Sequence, residues 1–422
     1  MRKPITMILI MSMMLPLAAC KQGETTVETT VETTTEVTQE TSVSTSEVET
    51  TTTAPDTASY CESGLLKGLR IEENNTFVNT DEKYSELISQ VNEAVAKYGF
   101  EGSMLIATDD EIIMYSGPKA LSVTGDPVDP YTTYDIASCS KTITATAIFQ
   151  LIEDGKISLD DTLDKYFPDY EKGKDITLFN VLHMTSGIVD YYDSRRFWAK
   201  VDGKDLDEVV RKSERDEISD EEFLDNLYAA PLNFTPGTSQ DYSNTNYVLL
   251  ALIVEQVTGM RFCDYVKENI FDVCGMEHTT SMVQGNETCV PQSFDSEYEA
   301  GFVDETGRYM AVNRERGCGG IHTGVADLLA FDRALVSGKL VSKESLDDMT
   351  TWSFTNKMGY GCGLFPYADN AFGHSGYNAC CITQNIIIDS KEFGRVYFIG
   401  SVSSTKLGEA LSQVYLQCLR TL

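Results

Sequence analysis

The sequence predicts an α+β fold: an antiparallel sheet assembled from both ends of the globular chain, helices flanking it, and an all-helical lobe between its two halves. Three observations lead there. Strand-like runs stand near residues 102–117 and return past residue 358, and the chain between about 160 and 290 reads as helices and loops. A helix precedes the first strands, and a cleft is expected between sheet and lobe.

In chain order, EKYSELISQVNEAVAKYG (82–99) is a helix, and GSMLIATDD and EIIMYSG form a hairpin with a tight polar turn. Next comes a helix from Ser138 to near Gly155, with Ile143, Ala147, Leu151 and Ile152 at roughly helical spacing, so it reads as amphipathic. In the helical lobe, DEISDEEFLDNLYAA has an acidic first turn that suits the positive end of a helix dipole. YVLLALIVEQVTG is a strongly apolar helix with a Gly at its end. Past residue 290, GIHTGVADLLAFDRALVSG reads as a helix, and MGYGCGLFPY, NACCITQNIIIDS and GRVYFIGSV read as strands.

Composition narrows the functional classes. A net charge of −32 argues against nucleic acid as a partner, because its phosphates would be repelled. Of 422 residues, 42% are hydrophobic and 10% aromatic, enough for a sizeable core. The N-terminus has a short basic start (Met1-Arg2-Lys3), an apolar run over residues 5–16, and LAAC at 17–20. This resembles a bacterial lipoprotein signal, which implies removal of residues 1–19, acylation of Cys20 and an extracytoplasmic, lipid-anchored location at the cell membrane. The alternative is an ordinary secretory signal with a coincidental Cys. The run is too short for a transmembrane helix.

Residues 20–60, rich in Thr and Glu, have few large apolar side chains to bury, so they are expected to be an extended disordered tether. Such a coil of about 40 residues reaches roughly 35 Å on average. It carries the globular domain, 61–422, away from the bilayer. Ten cysteines remain beyond Cys20, including the vicinal pair Cys380-Cys381, and buried free thiols are favoured over disulfides for a domain of this size. Neither CxxC nor HExxH is present and the four His are far apart, so neither metal nor cofactor is expected.

The chemistry begins at Ser138 and Lys141. Three residues apart, they share a helix face. A hydroxyl is a poor nucleophile until a base takes its proton, and a Lys serves if desolvation or a nearby cation lowers its pKa. Ser138 at a helix N-terminus also directs positive potential at a nascent oxyanion. The S-x-x-K pattern alone is weak: Ser116-x-x-Lys119 contains Gly-Pro and is a turn, and Ser403-x-x-Lys406 could cap the last helix but has only a short tail after it.

Two further motifs lift Ser138 above these. Tyr242-x-Asn244 stands immediately before an apolar helix, 104 residues after Ser138, and His374-Ser375-Gly376 follows Tyr242 by 132 residues, beside or within a strand. In this order and spacing, the sequence resembles the serine β-lactamase and penicillin-binding superfamily, specifically class C β-lactamases, D-alanyl-D-alanine carboxypeptidases and related esterases. LFNVLHMTSGI (178–188), FTPG (234–237), GMEHTT (275–280) and GCGGIHTGVADLLAF (317–331) extend the resemblance over roughly residues 85–420.

The resemblance implies a β-lactamase-like fold with its active site between sheet and helical lobe. It makes Ser138 the acylated nucleophile, Lys141 its proton-accepting partner and Tyr242 a further proton carrier; which of Lys141 and Tyr242 is the main base stays open. Asn244 would hold the substrate amide, the strand with His374, Ser375 and Gly376 would line the opposite wall, and the backbone N–H groups of Ser138 and Tyr377 would form the oxyanion hole. Tyr242 and Asn244 have a plainer reading as caps of the next helix, and His374 as a structural strand residue. His183, His278 and His322 are assigned to turns and packing, and Cys139 to the core.

Many β-lactamases carry Lys-Thr-Gly where this chain has His374-Ser375-Gly376. An imidazole is a weaker, pH-dependent cation, so recognition of a substrate carboxylate is put in question. The expected activity is a serine hydrolase working through an acyl-enzyme on peptidoglycan D-alanyl peptides or β-lactams. The alternatives are an esterase on small acyl esters and a non-hydrolytic penicillin-binding sensor.

Overall fold

The computed structural model describes residues 59–61, 64–72, 74–117, 127–192, 194–197, 219–281, 315–354, 359–377, 381–403 and 405–422. Cys20, the expected signal and nearly all of the expected tether lie outside the described residues, as do Lys119 and Cys380. Everything described falls within one compact unit, Asp56–Leu422.

Seven strands form the main antiparallel sheet: β1 (Thr76–Val78), β2 (Ser103–Thr108), β3 (Ile112–Ser116), β4 (Phe365–Ala368), β5 (Ala371–Tyr377), β6 (Ile382–Ser390) and β7 (Gly394–Val402), in the spatial order β1-β3-β2-β7-β6-β5-β4. The two chain ends meet where β7 pairs with β2, Phe398 opposite Ile106 and Ile399 opposite Leu105. An antiparallel sheet built from both ends is therefore present. Because β2 is buried at every residue, it reads as a continuous apolar run, and its side chains still alternate between two cores. Met104 and Ile106 join Leu87, Val91, Phe398 and Leu411 under helices α1 (Ser85–Tyr98) and α5 (Thr405–Thr421); Leu105 and Ala107 face the other core.

That second core holds helices α2 (Ser140–Glu153), α3 (Asn244–Thr258) and α4 (Val325–Val336). The amphipathic reading of α2 needs correction. Residues 140–149 are buried on every side, and their threonines bond to backbone: Thr142 donates to the Gly363 carbonyl and Thr144 to that of Gly317, each at 2.7 Å, and Thr146 to that of Thr142 at 2.9 Å. A central helix of this kind buries its threonines by bonding them to backbone, which a hydrophobic pattern alone does not reveal.

Other expectations shift locally. GIHT is not the start of a helix: Ile321–Thr323 is a strand between Tyr134–Asp135 and Thr280–Ser281 in a small second sheet, and α4 starts only at Val325. Of MGYGCGLFPY only Phe365 to Tyr367 are in β4, whereas the His374 motif lies inside β5. Ser403 stands just before the expected last helix, α5, of 17 residues. Among the described residues, no helix is long and apolar enough to cross a membrane.

Candidate active site

Ser138 sits in a 3-10 turn, Ala137–Cys139, that runs directly into α2. Ala137 is held at φ +43°, a conformation that costs a non-glycine residue energy, with its N–H donated to Asp135 Oδ1 at 2.8 Å. This turn presents Ser138 half-buried, while Cys139 turns into the core and donates Sγ–H to the His374 carbonyl at 3.2 Å. The core assignment of Cys139 holds. Strand β5 passes tightly against the turn: a Cβ on Gly376 would lie 1.9 Å from the Ile136 carbonyl oxygen, so only glycine fits there.

One turn after Ser138, at the second residue of α2, Lys141 is fully buried with its ammonium among acceptors. It donates to Ser138 Oγ at 2.9 Å, to Asn244 Oδ1 at 2.8 Å and to the Cys318 carbonyl at 2.7 Å. All three N–H bonds are thereby used. Burial works against the charge, but Tyr242, Cys318 and Asp190 outweigh it and hold the amine above the ordinary lysine range. Lys141 at rest is an ammonium, where the sequence reading allowed a lowered pKa.

Tyr242 closes the triangle. Lys141 Nζ lies 5.0 Å from its ring centroid, and its ring is fixed by Phe365 (6.2 Å, stacked) and Tyr360 (5.9 Å, edge-on). Burial holds the phenol pKa above its ordinary value, opposed only in part by Lys141 and a hydrogen bond with Ser138. Asn244 opens α3, and both its backbone N–H (2.8 Å) and its Nδ2 (3.0 Å) donate to Asp190 Oδ2. Ser138, Lys141, Tyr242 and Asn244 thus converge.

His374 packs beside this group, its ring 6.4 Å from that of Tyr242, but its nitrogens bond elsewhere. It is 2% exposed; Nε2 lies 3.1 Å from the Tyr360 hydroxyl and Nδ1 2.6 Å from the Ser375 carbonyl. Burial, reinforced by the Lys141 charge, drives its pKa down to about 3. It is therefore a neutral imidazole bonded at both nitrogens. Ser375 is half-buried beside it, and Tyr377, 59% exposed, ends β5 at the rim. His183 is buried with Nδ1 2.9 Å from the Phe179 carbonyl and Nε2 3.1 Å from that of Thr351, His278 packs on Tyr131 and His322 is buried beside Asp135, as packing roles require. Cys318, Cys362 and Cys418 are buried free thiols whose pKa burial raises.

Two participants escaped the sequence reading. Cys318 acts through a backbone carbonyl, which no side-chain motif encodes. Gly317 brings it there: at φ +79°, a Cβ on it would sit 2.5 Å from the Tyr247 carbonyl of α3. Asp190, the other, lies two residues beyond LFNVLHMTSGI (178–188), a stretch read only as a supporting match. Among the described residues no cluster of His, Cys, Asp and Glu could hold a metal ion. The arrangement can charge-stabilise an alkoxide at Ser138 and move a proton through Tyr242.

Residues 87–404 match the family model described as Beta-lactamase. The chain is 25% identical over 355 residues to a protein provisionally named penicillin-binding protein PbpX of Bacillus subtilis (strain 168), covering 82% of this chain and 80% of that one. It is 31% identical over 159 residues to a protein provisionally named D-alanyl-D-alanine carboxypeptidase of Salmonella agona (strain SL483), covering 35% of this chain and 34% of the other. Among solved structures, a D-stereospecific amidohydrolase from Streptomyces sp. superposes with a TM-score of 0.61 at 25% identity, over 79% of this chain and 97% of that one.

Proposed function

We propose that this chain, which belongs to the β-lactamase family, is a serine hydrolase that works through an acyl-enzyme on Ser138. The observation that carries the reading is the buried Lys141 ammonium, 2.9 Å from Ser138 Oγ. As Ser138 Oγ bonds to the acyl carbon, its proton passes to Tyr242, Tyr242 gives its own proton to the leaving group, and Lys141 stabilises the developing charge. Water then reverses the path and releases the acid. Asn244 orients the substrate amide, Ser375 and Gly376 line the opposite wall, and the N–H groups of Ser138 and Tyr377 hold the oxyanion.

The substrate class this reading takes from the family is a peptidoglycan D-alanyl peptide or a β-lactam. In keeping with the lipoprotein-like N-terminus, the enzyme works outside the cytoplasm, held at the membrane through Cys20 and the Thr- and Glu-rich tether.

A second reading is favoured by one observation: His374 is neutral and buried, so it offers no cation to a substrate carboxylate. Neutral esters or amides then become the better substrates, in keeping with the amidohydrolase among the structural neighbours. Comparing hydrolysis of an acyl-D-Ala-D-Ala peptide, its C-terminal amide, a penicillin and p-nitrophenyl acetate separates the readings. Preference for the free carboxylate and the penicillin supports the peptidase or β-lactamase; preference for the amide and the ester supports the second. Turnover that persists in Ser138→Ala contradicts both.

A further inference from the structure

We propose that Asp190 is a positioning residue for the acylation step, fixing the Asn244 carboxamide so that its oxygen, and not its NH2, meets Lys141. The proposal rests on the reading of Ser138 and Lys141 given above. A carboxamide has two nearly isosteric ends, one that accepts and one that donates. Facing an ammonium, only the oxygen is useful. In this site the choice is imposed from behind: Asp190 Oδ2 is acceptor-only and takes Nδ2 of Asn244 at 3.0 Å, which leaves Oδ1 directed at Lys141 Nζ, 2.8 Å away.

Asp190 is itself held in place. Its Oδ1 accepts the Tyr192 N–H at 2.9 Å, and its Oδ2 accepts the Asn244 backbone N–H at 2.8 Å. Ser243, the residue that precedes α3, makes no side-chain cap, so the carboxylate serves an orphan N–H at the positive end of that helix. A negative charge is thereby relayed through one amide to a buried positive one. Were the amide reversed, buried Lys141 would face an NH2 group and lose the Asn244 oxygen as an acceptor, keeping those of Ser138 and Cys318.

A simple helix cap makes a different prediction from a positioning residue, and Asp190→Asn tells them apart. The carboxamide introduced at position 190 still offers an oxygen to the Asn244 backbone N–H, so the cap survives. Its NH2, however, draws the Asn244 oxygen toward itself and leaves the NH2 of Asn244 for Lys141. Asp190→Asn combined with Asn244→Asp reverses the pair: the carboxylate at 244 accepts both from Lys141 and from the carboxamide at 190. The test is the pre-steady-state burst of p-nitrophenol from p-nitrophenyl acetate, measured on the full chain across pH.

Asp190→Asn is expected to slow the burst by about ten- to a hundredfold, the scale of one unsatisfied buried donor. Its alkaline limb should also move to lower pH, because Lys141 loses the carboxylate that favours its charged form. The double variant should recover most of the rate and restore the limb. A burst within about twofold of wild type in Asp190→Asn, or a double variant no faster than either single one, overturns the proposal. Ser138→Ala in parallel keeps the two readings distinct. A burst that survives it overturns the assignment of Ser138; a Ser138-dependent burst unchanged by Asp190→Asn overturns the role of Asp190 alone.

Discussion

On the helical wall of the cleft, Lys141 carries a buried charge whose every N–H is bonded, to Ser138, Asn244 and Cys318. On the sheet wall, His374 is equally buried but neutral, closed off by Tyr360 and the Ser375 carbonyl. Both are basic side chains in family motifs, and they have come to opposite protonation states. The difference lies in their neighbours: Lys141 is surrounded by acceptors and near a carboxylate, while His374 lies among Tyr242, Tyr360 and Phe365 rings and within the field of Lys141 itself. The helical wall supplies charge and the sheet wall supplies shape.

The sharpest way to break this contrast is to remove the charge. Lys141→Met fills much the same volume without the ammonium, and it should lower ester turnover by about 10³-fold or more while circular dichroism stays native. A loss under about tenfold would mean that the charge on the helical wall is dispensable.

Protonating the sheet wall comes next. His374 has a pKa of about 3 when folded and an ordinary value of 6.5 when unfolded, so between these the unfolded chain binds the extra proton. Its contribution is therefore present above pH 6.5 and is lost as pH falls toward 3. Urea midpoints should drop across that window, on the order of a few kcal/mol in all, and the slope should lessen in His374→Gln. An unchanged slope would show that His374 is not held neutral.

Shape is tested at Gly376. Gly376→Ala forces a methyl against the Ile136 carbonyl, and should cost about 1–3 kcal/mol with a fall of several degrees in Tm. Turnover should fall with it, because the same contact seats the Ser138 turn. The smallest effect is expected from Tyr360→Phe, which removes one partner of His374: about 1 kcal/mol of stability and a rate within about threefold of wild type.

What the sequence made legible follows the same division. Ser138, Lys141, Tyr242 and Asn244 are side chains in short motifs at recognisable spacing, and the fold brings them together. The two-ended sheet was legible too, because β2, β3, β6 and β7 are long runs of apolar residues at opposite ends of the chain. Cys318 was not, since its contribution is a backbone carbonyl. Nor was Asp190, 54 residues before Asn244 and joined to it only by hydrogen bonds. The neutrality of His374 depends on an aromatic cluster gathered from two separate stretches, one with Tyr242 and one with Tyr360 and Phe365. Ile321–Thr323 was taken into a helix because three residues are too few to show a period of two.

The central claim is that Ser138 carries the acyl group and that Lys141 makes it able to. The measurement that tests it most directly is intact-mass spectrometry with peptide mapping, on wild type, Ser138→Ala and Lys141→Met rapidly quenched after mixing with p-nitrophenyl acetate. The account predicts a single acetyl adduct on the peptide containing Ser138 in the wild type, none there in Ser138→Ala, and a much slower one in Lys141→Met. Hydrolysis with no adduct at Ser138, or an adduct that forms at the wild-type rate in Lys141→Met, would contradict it.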